Sequence, residues 1–355
     1  MPKQTGDGSV SRLAALEMAR GAAALLVVLY HATAVLHLPK YLGAPPLNGF
    51  FYFGNVGVDF FFALSGYILF HVHGHEVGKP GAVRRFLWKR WLRVFPPYWA
   101  ATLLVIPAYA LFPGFGKGDE LAPGRLFSSF SLLPLPQAPV LPVAWSLVFE
   151  VLFYVLFALA LKGRAVAAMV LGGWIVTPAL GMWLGNPAAY PGFYIGTAHH
   201  WQFLLGSAAC VCAQQKGLVE RPTAWVVLGA AILLLTAIGR NSFGFHPPDP
   251  LFHLMVGIGA AIALCGLGSD RSTVEGSGRR FMTGLGSASY SIYLIHYAVL
   301  SLAAKLLGPW IAAGKLPASF WLLLLSAAGV VGGGLFHRWV ENPSLAWGRR
   351  LRPQL

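Results

Sequence analysis

The sequence predicts an all-α fold: a polytopic integral membrane protein of about ten transmembrane helices, N-in and C-in. Three observations predict it. The 355 residues are 56% hydrophobic and only 11% charged, whereas a soluble protein carries roughly a quarter charged residues. The apolar residues gather into ten segments, near 14–37, 50–71, 91–112, 143–161, 165–184, 200–215, 223–239, 251–268, 284–304 and 318–337. Lys and Arg alternate between the loops joining these segments. With the N-terminus inside, only Lys40, Lys117, Arg125, Arg240, Lys305 and Lys315 of the 26 fall outside.

Composition decides the solvent. With mean hydropathy +0.63, the chain lacks the charge to cover a surface facing water, and a lipid bilayer is its expected partner. The segments are close to the ~20 residues that span one. In lipid every backbone group must be paired within the protein, so they are read as helices. The long alternating strands of a membrane barrel are absent. The Lys and Arg asymmetry sets the orientation. It also accounts for the net charge of +14, so no nucleic acid is expected as a partner.

The rest of the chain is connection. Residues 1–13 read as a short cytoplasmic N-terminus with no cleavage pattern before the first span, so that span is expected to be retained. Residues 14–338 read as a single transmembrane domain, and 339–355 as a basic cytoplasmic tail. The long outer loop, 113–142, is rich in Pro and Gly; 185–199 and 241–250 are shorter outer loops. Cys210, Cys212 and Cys265 lie in apolar stretches without zinc-ligand spacing, so they read as small buried hydrophobes and no metal site is expected.

Ionisable groups inside a span are costly and usually functional. Arg20 and His31 on the first helix fall within ~20° of one face and ~16 Å apart along it. Asp59 lies within the run Gly57-Val-Asp-Phe-Phe. Arg90 and Arg93 are one turn apart and can converge on one anion; Pro96 and Pro97 should then break or kink the helix. Ser146, Glu150 and Tyr154 form one polar stripe, and Ser289, Tyr293 and His296 another. Each has a structural reading too. Arg20 can snorkel, the Lys and Arg run can be the positive-inside pattern alone, and Asp59 can bond a neighbouring helix. His31 and His296 can be core histidines.

Taken in order, these motifs resemble the acyltransferase-3 family of membrane O-acyltransferases. The matching residues are Arg20 and His31; Gly57 to Gly66; Arg90, Arg93, Pro96 or Pro97 and Tyr98; Trp145 to Tyr154; Ser289 to His296; and Glu341 to Pro343. The resemblance covers most of the chain. It is nearest to enzymes that acetylate exopolysaccharide units, and no fused extracytoplasmic domain is seen. It implies a multi-pass enzyme of a bacterial-type inner membrane. That enzyme would move an acyl group, with acetyl the expected one, from acetyl-CoA to a carbohydrate acceptor. On this reading Arg20, Arg90 and Arg93 hold the CoA phosphates. His31 is general base or nucleophile, and Glu150 orients it. Asp59 and His296 are further catalytic candidates. A proton-coupled transporter or a non-catalytic binding protein on the same fold are the rival readings.

Overall fold

The structure is a computed structural model and describes residues 7–184, 192–215, 217–269 and 277–350. Lys3, residues 185–191 of the 185–199 loop, Lys216, Arg271 and Arg352 lie outside them. Every described element is helical, as expected. The chain forms two compact units: Met1–His71 with Trp201–Gly334, and Val72–His200 with Leu335–Leu355.

The first unit is built on α1 (Asp7–His37), followed by a 3-10 stretch (Pro46–Asn55) and α2 (Val56–His73). It also holds α8 (His199–Gln214), α9 (Pro222–Ser242), α10 (Asp249–Ser269), α11 (Ser277–Ala312) and α12 (Ala318–Phe336). Unit boundaries fall inside α2, α8 and α12. One of its cores joins Val56, Ala63, Tyr67, Cys210, Val256 and Leu264. The three cysteines are free, Cys210 and Cys265 buried.

Between apolar helices in lipid, small residues and close packing supply the attraction that water supplies elsewhere. A Cβ on Gly66 would strike the carbonyl oxygen of Phe203, and one on Gly206 that of Ala63, so α2 and α8 touch backbone to backbone. Gly21 meets Met282 O, and Gly286 meets Glu17 O, which draws α11 onto α1 in the same way.

The second unit holds α3 (Ala82–Leu111), α4 (Pro123–Ser131), α5 (Trp145–Ala160), α6 (Arg164–Trp183), the single turn α7 (Gly192–Ile195) and α13 (Asn342–Arg350). A π-helical turn, His337–Glu341, precedes α13. Here two expectations are corrected. The third helix begins at Ala82 rather than near residue 91, so the basic run is helix and not loop. It also continues through Pro96 and Pro97. Gly81, at φ 71, sets its start. Two prolines remove only two N–H donors, and α3 packs on α5 and α13. The 113–142 loop is ordered around α4. Trp99 Nε1 donates to Phe130 O at 3.0 Å, Ser128 Oγ to Gln137 O at 2.6 Å, and Val140 N to Ser129 Oγ at 2.7 Å.

Among the described residues, nine helices are long and apolar enough to cross a membrane. The predicted 200–215 segment is α8, 16 residues long.

Candidate active site

The close approach of α1 and α11 sets two histidines against each other. His31 on α1 is half-buried and His296 on α11 fully buried. His296 Nδ1 lies 2.7 Å from Tyr293 O and 3.0 Å from Ile292 O. Carbonyl oxygens only accept, so Nδ1 of His296 carries the hydrogen and its Nε2 bears the lone pair. That Nε2 lies 3.1 Å from His31 Nδ1, which also lies 3.0 Å from Val27 O. Both are acceptors, so His31 is protonated at Nδ1 and its Nε2 is left with a lone pair. Tyr30 and Tyr297 meet the His31 ring edge-on at 4.8 and 5.3 Å. The result is an oriented imidazole with a basic nitrogen, the arrangement that a carboxylate produces in a Ser-His-Asp triad. Arg20 lies on the same continuous helix as His31.

Asp59 ties three helices of the first unit together. Its Oδ1 accepts from Gln202 Nε2 on α8 at 2.6 Å and from His253 Nδ1 on α10 at 2.7 Å. Gln202 Nε2 also donates to His253 O at 3.0 Å. Asp59 and Gln202 are buried, while the His253 side chain is 24% exposed. Gly66 and Asp59 thus serve one junction: the glycine lets α8 approach and the carboxylate bonds it.

The remaining candidates lie in the second unit. Glu150 accepts from Tyr154 Oη, one turn along α5. The Arg90 guanidinium lies over the Phe86 and Tyr154 rings, at 5.7 and 5.8 Å. It also donates to His73 Nε2 at 3.2 Å, while His73 Nδ1 donates to Glu76 at 3.2 Å. Arg93 is paired with the buried Glu341, whose second oxygen accepts from His337 Nδ1 at 2.7 Å. Arg90 and Arg93 are therefore each held from behind by a different partner. His200 has both nitrogens engaged: Nε2 donates to Tyr194 O at 2.7 Å and Nδ1 accepts from Trp174 Nε1 at 2.8 Å.

Sequence reasoning found His31, His296, Asp59, Glu150, Arg90 and Arg93 but missed Gln202, His253, His73 and Glu76. His253 was open to the same argument as the others, an ionisable group inside an apolar span. Gln202 and His73 gave no such signal.

The comparisons follow the same lines. The sequence profile of the acyltransferase domain family matches residues 13–338. The chain is 30% identical over 331 residues to the exopolysaccharide production protein ExoZ of Rhizobium meliloti, covering 85% of this chain and 93% of that one. It is 25% identical over 343 residues to the acyltransferase MdmB of Streptomyces mycarofaciens, covering 84% of this chain and 83% of the other. No solved structure matches significantly. With its helical membrane spans and the family profile matching from the first span into the last, the chain belongs to the acyltransferase-3 family of membrane acyltransferases.

Proposed function

We propose that the protein transfers an acetyl group from acetyl-CoA to a hydroxyl of a carbohydrate, a lipid-linked or surface polysaccharide unit, at a bacterial inner membrane. The observation that carries this reading is the paired His31 and His296, which leaves His31 Nε2 unprotonated. That nitrogen takes the proton of the acceptor hydroxyl as its oxygen attacks the thioester carbonyl. The C–S bond then breaks and the thiolate leaves with the same proton. Arg20, Arg90 and Arg93 contact the donor phosphates, where guanidinium groups bond bidentately. The likeness to an exopolysaccharide production protein supports the carbohydrate acceptor.

The test is acetylation of a sugar acceptor by the purified full chain, with folding checked by thermal shift. His31→Ala is expected to keep CoA binding and lose at least ~100-fold in turnover, the low end for a general base. Glu150→Gln should lose less. Near wild-type turnover from His31→Ala would overturn this assignment. The base would then move to His253, whose Nδ1 is held by Asp59.

A further inference from the structure

The first turns of α3 and the turn between α5 and α6 border an open hollow of about 800 Å³. The backbone N–H of Gly78 donates to Leu161 O at 2.9 Å and ties the turn before α3 to the end of α5. Lys79, Arg84 and Lys162 line the hollow, all exposed, and no carboxylate is among its lining residues. The other walls are mostly apolar: Leu87, 41% exposed, with Trp88 and Trp91, whose rings stack at 5.5 Å. The indole N–H of Trp88 is buried without a hydrogen-bond partner.

The positive-inside rule explains cations at helix ends. It does not explain a hollow between them walled by apolar side chains. The ligand these features fit is anionic at one end and apolar along its length. We propose that this hollow binds a phospholipid with an anionic headgroup. The phosphate meets Lys79, Arg84 and Lys162, and the chains lie along Leu87, Trp88 and Trp91. A nucleotide fits poorly, because its base and ribose would meet apolar walls with few polar partners. Basic pockets beside transmembrane helices commonly hold anionic headgroups in this way.

The full chain in nanodiscs is titrated with brominated phosphatidylglycerol or brominated phosphatidylcholine, and tryptophan fluorescence is followed. Phosphatidylglycerol is expected to quench at lower mole fraction, and the difference to shrink in Trp88→Phe and Trp91→Phe. Native mass spectrometry then compares wild type with Lys79→Gln/Arg84→Gln/Lys162→Gln. The preference for the anionic lipid should fall roughly five-fold for each cation removed. Equal quenching by both lipids in wild type overturns the proposal, as does an unchanged preference in the triple variant. So does displacement of brominated phosphatidylglycerol by adenosine 3′,5′-bisphosphate or inorganic phosphate more readily than by unlabelled phosphatidylglycerol.

Discussion

His31 depends on His296 because one ring nitrogen can face the acceptor hydroxyl only while the other holds a proton. The carbonyls of Tyr293 and Ile292 fix the tautomer of His296, and His296 fixes that of His31. His296→Ala should therefore lower turnover by about 5- to 150-fold, as expected for roughly 1–3 kcal/mol of lost hydrogen bonding. KM for the donor should hold, and His296→Gln, which can offer an acceptor oxygen, should recover part of the rate. A second residue-scale prediction concerns Glu341, fully buried against an Arg93 that is 28% exposed. Glu341→Gln should cost about 3 kcal/mol, the low end for breaking a buried pair, read as a lower Tm, and should raise KM for CoA. The Arg-x-x-Arg spacing was legible and suggested one shared anion. The separate partners, His73 and Glu341, stand 17 and 248 residues away, beyond any helical period.

At the scale of elements, the crossing of α2 and α8 is the most demanding contact. Even one methyl on Gly206 meets backbone at Ala63, which cannot swing aside as a side chain can. Gly206→Ala should destabilise by about 1–3 kcal/mol, the cost of overpacking. Gly172→Ala on α6, with open space around it, should be neutral or gain up to about 1 kcal/mol of helix propensity. Equal Tm values for the two variants would contradict the crossing. In the loop around α4, burial of Glu120 raises its carboxyl pKa, but the N–H groups of Lys117 and Gly118 and the charge of Arg125 outweigh this, and the pKa lies below its ordinary 4.5. Its contribution is therefore complete above that value and lost as pH falls through the lowered one. Limited proteolysis of the loop should begin only in acid for wild type and already at neutral pH for Glu120→Gln. Apolar periodicity showed the spans but not this order. A Pro- and Gly-rich stretch reads as irregular, and its cross-links, such as Ser129 to Val140, leave no periodic trace.

For the whole molecule, composition alone established the solvent and the helical class. It did not establish how many segments cross. The expected N-in, C-in orientation requires an even number of crossings, which would make α8 the tenth beside the nine longer helices. At 16 residues it is about 24 Å long, short of the ~30 Å hydrocarbon core, a mismatch that local thinning accommodates. Reporters in the 77–81 turn or after Leu355 should signal cytoplasm, and one within 113–122 the outside. A cytoplasmic signal from 113–122 would overturn this topology.

The histidine pair has one consequence for energetics across the bilayer. In the proposed cycle, the proton taken from the hydroxyl departs on the sulfur, so the pair ends each turnover with the inventory it began with. Neither a free proton nor a net charge is consumed. Acetylation in sealed proteoliposomes should therefore run at the same rate with or without an uncoupler, powered by the thioester alone.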